Sequence, residues 1–217
     1  MLNNLLGPAL IALWLAFILL AAVLCRQRWP EQRELSRKIV HIGTGTVLPM
    51  AWGFGVTRPL ALGFAGFVTV LIACNHRWRW LAAMEDVDRP SIGTIAYAAA
   101  ITGLLMLFWP DRADAVCAGV LVMAWGDGFA GLLGRAIQSP RWTVFGQTKS
   151  VVGTLTMAIV SAVVLNSLGL WSAAGSTLSI TLILAAVATG LEQISINGCD
   201  NLTVPLVVGL LWAVFVS

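Results

Sequence analysis

The chain has 217 residues, 59% of them hydrophobic and 11% charged, with a mean hydropathy of +0.87 and a net charge of +3. That balance excludes an ordinary soluble domain and predicts one all-α, polytopic membrane helix bundle spanning residues 1–217 as a single domain. The basic residues are spread over loops, which argues against a nucleic-acid partner. Cys25, Cys74, Cys117 and Cys199 stand singly, which suggests neither a zinc site nor a disulfide framework and reads as small buried hydrophobes.

Spans of about 20 apolar residues predict helices near residues 5–25, 39–56, 58–74, 92–109, 115–134, 151–169, 178–196 and 202–217, seven or eight crossings in all. The first lacks a basic leader and a small-residue cleavage site, so it reads as a retained span rather than a signal peptide. The second and third are expected to pack tightly around Gly53-Phe54-Gly55 and Pro59, and the last to be tilted or partly re-entrant.

At the mouth of the second span, Arg37, Lys38 and His41 share a helix face at three- and four-residue spacing. A positive anchor accounts for Arg26, Arg28 and Arg33 but poorly for a histidine turned into the membrane beside Gly43 and Gly45. The run Trp78 to Trp80, with His76, Arg77 and Arg79, reads as an interfacial aromatic-basic anchor. Next comes Arg89-Pro90-Ser91-x-Gly93-Thr94, where Ser91 caps a helix whose first N–H groups suit an anion.

Asp127 lies inside an otherwise apolar span, where a carboxylate costs about 2.5–3.5 kcal/mol and points to a functional site. Ala130, Gly131 and Gly134 continue its face, with Arg135 at the end. A small-residue packing face explains the glycines but not the acid, and a Mg²⁺ ligand does. Lys149-Ser150-x-x-Gly153-Thr154 then opens the sixth span, joining a cation, hydroxyls and a glycine at a positive helix end suited to phosphate. Its spacing is not that of a Walker A loop. Finally Glu192, Asn197, Asp200 and Asn201 cluster between apolar runs, more polar groups than a helix cap needs, and supply a second metal or substrate carboxylate.

Loop charges fix an orientation. With the N-terminus outside, 11 of the 13 Lys and Arg residues fall on the cytoplasmic side and only Arg58 and Arg112 on the other. Lys38, His41, Arg89, Asp127, Arg135, Lys149, Glu192 and Asp200 then converge on the cytoplasmic half, within reach of a water-soluble phosphorylated substrate and a lipid in the same leaflet.

These segments, in this order, resemble the polyprenol kinase family of phytol, farnesol and dolichol kinases, most of all the phytol kinase branch. The Asp-Gly-Arg and Lys-Ser-Gly segments are distantly similar to phosphatidate cytidylyltransferase. Val152 stands where the family motif more often has glutamate. The resemblance implies a lipid kinase that moves a phosphoryl group from a nucleoside triphosphate, typically CTP, to an isoprenoid alcohol with Mg²⁺. Asp127, with Asp200 or Glu192, would hold the metal. Lys149 and His41 join Asp127 and Asp200 as catalytic candidates, with His41 or a carboxylate as base. Lys38, Arg37, Arg89, Ser91, Thr94, Gly128, Gly134, Arg135, Ser150, Gly153 and Asn201 are the candidate nucleotide contacts. Two other classes compete: a cytidylyltransferase using the same residues, and a cation- or proton-coupled transporter, which lacks repeated halves and a polar path to the outer side.

Overall fold

The computed structural model describes residues 2–78, 92–172 and 175–216. Arg79, Trp80, Arg89, Pro90 and Ser91 lie outside them. Apolar sequence gives ten α-helices here: α1 (Leu2–Arg28), α2 (Arg33–Gly45), α3 (Val47–Gly53), α4 (Arg58–Trp78), α5 (Gly93–Phe108), α6 (Ala113–Leu121), α7 (Gly128–Ala136), α8 (Val151–Trp171), α9 (Leu178–Gln193) and α10 (Asp200–Phe215). A π-helical segment, Val122–Asp127, joins α6 to α7 without a break. With α2–α3 and α6–α7 each taken as one rod, the eight expected helices are present, and the protein is an all-α membrane protein. Four segments are long and apolar enough to cross a bilayer: Leu6–Arg28, Arg58–Asn75, Ala113–Ala136 and Val151–Trp171; α5, α9 and α10 are shorter apolar helices of 16 residues each.

Every residue of α6 is buried, the mark of a helix surrounded on all sides by others. It runs up the middle of the bundle, with α5, α8, α10 and the α2–α3 rod around it. Outward, Leu13, Phe17 and Leu20 of α1 and Phe67 and Val70 of α4 present bare hydrocarbon, as lipid-facing helices do. Small residues let the central backbones close up. A β-carbon on Gly119 would run into the Pro205 carbonyl, and one on Gly209 would sit 3.0 Å from the Ala115 carbonyl oxygen. Gly119→Ala is therefore expected to cost about 1–3 kcal/mol through forced separation of α6 and α10, read as a lower midpoint of thermal unfolding in detergent.

The second rod begins at Arg33, six residues before the apolar count starts, because its basic first turns are helical too. It bends at Thr46, whose hydroxyl donates to the Gly43 carbonyl (2.7 Å) while Trp14 Nε1 reaches that hydroxyl (2.6 Å) and the same carbonyl (3.1 Å). A side chain bonding back to the preceding turn is a recognised cause of helix bending.

Three expectations are corrected. The second and third rods do not close on each other: α4 packs against α5, and a cavity separates it from α3. The last helix is one unbroken run that opens at Asp200, earlier than expected, and α6, α5 and α9 hold it along its length. The segment before α8 is a two-stranded antiparallel hairpin, β1 (Arg141–Val144) and β2 (Gln147–Ser150), not a loop. Its two-residue turn puts Phe145 at φ 47° and Gly146 at φ 78°, the positive values that a tight hairpin turn needs. Of the four cysteines, Cys25 and Cys117 are buried as expected, Cys74 is half-buried and Cys199 is exposed.

At the bundle end away from these mouths, polar groups serve as caps. Arg112 forks onto Asp114 (3.1 Å and 3.1 Å) and donates to the Ala213 and Val216 carbonyls, while Trp212 Nε1 donates to Asp114 (2.8 Å). Arg58 similarly donates to the Met106 carbonyl near the end of α5. These contacts satisfy carbonyls that a helix C-terminus leaves open and employ Arg58, Arg112 and Asp114 structurally. Asp114→Ala removes the acceptor of both Arg112 and Trp212. It should lower the unfolding midpoint by the equivalent of about 2–3 kcal/mol, measured side by side with the unsubstituted protein.

Candidate active site

The central helix changes pitch just where the acid sits. Over Val122–Asp127 the backbone winds as a π-helix, which releases carbonyls from the regular ladder and is common at functional positions. α2 answers it. Lys38 Nζ donates to Asp127 Oδ2 (2.6 Å) and to the Asp127 carbonyl (3.2 Å), and His41 Nε2 lies 3.2 Å from the Met123 carbonyl and 3.5 Å from Asp127 Oδ2. The three-residue spacing of Lys38 and His41 thus delivers both to one acid, as a shared helix face allows.

Small residues make that approach possible. The positions where β-carbons would stand on Gly45, Gly128 and Gly131 are filled by Ala124, Ile42 and Lys38 respectively. On the other side Gly134 meets Ser150 Oγ and the Gly153 backbone, closing α7 on α8. Gly128, Gly134 and Gly153, read from sequence as nucleotide contacts, are helix-packing positions, with the space left by their missing side chains already taken by protein.

Two further acids arrive from distant sequence. Glu192 ends α9 and Asp200 opens α10, and carboxylate oxygens of Asp127, Glu192 and Asp200 all lie within 4.8 Å of one another. The turn between them uses Asn197 (φ 53°) and Gly198 (φ 84°) in the left-handed region, where only such residues sit without strain. The Asp200 amide donates to Ser195 Oγ (2.7 Å), and the Asn201 amide donates to Asp200 Oδ1 (3.0 Å). The hairpin presents Lys149, whose Nζ pairs with Glu192 Oε1 and donates to the Glu192 carbonyl (2.7 Å). Gln193 Nε2 bridges Glu192 Oε2 (2.8 Å) and Thr154 Oγ1 (2.9 Å). Ser195 and Gln193 carry roles that sequence reading missed; a polar pair beside the acids was the available signal.

Three carboxylates against two ammonium groups leave the centre electronegative, and like charges this close repel strongly. Oxygens sharing one Mg²⁺ at about 2.1 Å lie at most about 4.2 Å apart. The 4.8 Å limit therefore asks for only small side-chain rotations, and the donor set fits a hard divalent cation.

The remaining candidates fall into place around this centre. Arg135 is an exposed side chain that pairs with Glu34 (2.7 Å), and Arg37 lies 3.8 Å from the same glutamate; together they form a charged rim. Asn201 is buried in the first turn of α10 and Thr94 is half-buried in the first turn of α5. Arg89 and Ser91 lie outside the described residues. The backbone N–H groups at the start of α8 are already engaged within the protein. Val151 N donates to the Pro140 carbonyl, Val152 N to Ser139 Oγ and Gly153 N to Ser150 Oγ. Ser150 is the N-cap of α8, so that turn is closed by the protein itself.

Fold and site together define a helical membrane protein with a buried centre of three acids and two lysines, a donor set that fits a divalent cation. The comparisons with known proteins agree. The chain is 37% identical over 209 residues to the phytol kinase of Synechocystis sp., covering 94% of this chain and 89% of that one. It is 27% identical to a probable phytol kinase 1 of Glycine max and 28% identical to phytol kinase 1 of Arabidopsis thaliana, both chloroplastic, over 81% of this chain. It spans 65% and 64% of the length of those two plant proteins. No family model and no solved structure matches it. The chain belongs to the phytol kinase family, and is a lipid kinase.

Proposed function

We propose that this protein phosphorylates the hydroxyl of phytol or a closely similar prenyl alcohol, using CTP or another nucleoside triphosphate with Mg²⁺. The alcohol oxygen bonds to the γ-phosphorus, the bond to the leaving nucleoside diphosphate breaks, and the alcohol proton passes to a base. The observation that carries this reading is the meeting of Asp127, Glu192 and Asp200 with Lys38 and Lys149 inside an apolar bundle.

Phosphoryl transfer asks chiefly for positioning and charge stabilisation. Mg²⁺ would supply charge neutralisation on the phosphates, held by Asp127 with Glu192 and Asp200. Lys38 and Lys149 hold those carboxylates in place and, as the acids turn to the cation, are free to turn to phosphate oxygens. His41 abuts the same acid and is the candidate proton acceptor. In the charge-derived topology the centre opens to the cytoplasmic face, where nucleotide arrives from water and alcohol from the leaflet. The whole chain acts as one domain in this reading.

The test is purified protein in detergent or liposomes with γ-labelled and α-labelled CTP or ATP, Mg²⁺, and phytol, geranylgeraniol, farnesol and dolichol. The expected result is a lipid monophosphate labelled from the γ position only, with nucleoside diphosphate released. Label from the α position with pyrophosphate release would identify a cytidylyltransferase instead. No labelled lipid from any alcohol would reject the kinase reading.

A further inference from the structure

Tyr97 is the chain's single tyrosine, and no role has yet been given to it. It is 7% exposed, and its hydroxyl is buried without a hydrogen-bond partner. Thr44 lies beside it and interacts with it electrostatically, without a well-formed hydrogen bond, while its own hydroxyl donates to the His41 carbonyl (3.1 Å). A buried unsatisfied hydroxyl costs about 1–3 kcal/mol, so a native structure that retains one calls for a partner arriving from outside.

Tyr97 also lines the cavity that separates α4 from α3. This cavity has a volume of about 210 Å³, and apart from Thr44, Thr69 and Tyr97 its walls are aliphatic or aromatic hydrocarbon. One water needs about 10–15 Å³ measured this way, so the space exceeds one water more than tenfold, yet offers almost nothing to hydrate. Along α5 it runs from Tyr97 to Leu105, eight residues and about 12 Å of helix rise. Its side walls are α1 and α4. These pack on α2–α3 and on α5, not closely on each other, so the cavity opens sideways toward lipid. At its head, the Tyr97 ring lies 4.6 Å from the His41 ring, centroid to centroid, and His41 is 3.5 Å from Asp127. Hydrocarbon space thus leads through one unpartnered hydroxyl to the acid centre.

We propose that this cavity holds the hydrocarbon chain of the alcohol substrate, entered laterally between α1 and α4. Tyr97 then hydrogen-bonds the substrate oxygen and positions it beside His41. This rests on the kinase reading for the identity of the ligand. A second apolar groove, lined by Ala21, Ile39 and Trp125 among others, flanks the other side of α2 and has neither Tyr97 nor His41 in its lining. It is the control site. Ala61 stands at the end of the cavity remote from Tyr97, so a bulky residue there shortens the space for a chain without touching its head.

Three measurements test the assignment. Ala61→Phe should lower kcat/KM for a C20 prenyl alcohol about a hundredfold, within the range hydrophobic pockets discriminate. A C10 alcohol should be affected less than threefold, which also shows that the variant is folded. Tyr97→Phe should raise the KM for the alcohol about tenfold and leave the KM for the nucleotide unchanged. A C20 alcohol with a terminal diazirine, photolysed without nucleotide, should label peptides from α4 or α5. An unchanged C20-to-C10 ratio in Ala61→Phe, a wild-type alcohol KM in Tyr97→Phe, or a shift produced by Ala21→Phe instead would each overturn the assignment. If wild-type protein turns over no alcohol yet labels in α4 or α5, the kinase reading fails and the cavity assignment survives.

Discussion

Replacing Asp127 by Asn is expected to reduce phosphoryl transfer by about a thousandfold or more while the protein still inserts and folds. Removing one preorganised charge-stabilising group typically costs about 10²–10³ in kcat, and this carboxylate is where the acid cluster, Lys38 and His41 meet. It faces Glu192 and Asp200, accepts from Lys38 and abuts His41. Asn keeps the size and one acceptor oxygen, so the packing of Gly45 on Ala124 and of Ile42 on Gly128 is undisturbed. Lys38 retains a carbonyl partner at Asp127 and two neighbouring acids, which keeps its charge compensated. The measurement is single-turnover lipid labelling beside size-exclusion chromatography in detergent. A monodisperse variant with wild-type turnover would remove Asp127 from the mechanism.

The second large effect separates structure from chemistry at the same place. Lys38→Met should destabilise the protein by about 3–5 kcal/mol, because breaking a buried ion pair strands the other charge. Lys38 is 6% exposed, and its loss leaves the three carboxylates with Lys149 as the remaining lysine among them. Two rescues follow from that cause. The double variant Lys38→Met, Asp127→Asn should regain most of the lost stability and remain inactive. Added Mg²⁺ should raise the unfolding midpoint of Lys38→Met more than that of wild type, since a cation that binds only the folded site stabilises by mass action, about 2.7 kcal/mol at a hundred times its Kd. A double variant no more stable than the single one would show that the pair is not what holds this region.

Several parts of this site were legible along the chain because they depend on local spacing. A carboxylate in an apolar span is conspicuous in any sequence, and Lys38 and His41 at three residues apart must share a helix face. Glu192 and Asp200 stood out because polar residues crowded a short gap between two apolar runs. Other readings failed for one physical reason: a residue's neighbours across the bundle are not written in its own segment. Gly128, Gly134 and Gly153 were candidate nucleotide contacts, and the space beside them is taken by Ile42, Ser150 and neighbouring helix backbone. Ser150 looked like a ligand and caps α8. Tyr97 was passed over, since a lone tyrosine near a helix start carries no periodic signal.

Composition and hydrophobic run length by themselves determined that this is a helical membrane protein, roughly where each helix runs, and which acids and lysines stand out beside apolar runs. Those properties are local and additive. Only the tertiary structure decided that Asp127, Glu192 and Asp200 converge within 4.8 Å, that Lys38 and Lys149 divide between them, and that α4 leans away from α3 to leave hydrocarbon space leading to Tyr97. Those outcomes depend on which helix packs against which, through glycine contacts and a π-helical turn whose consequences appear only once ten helices have found their places.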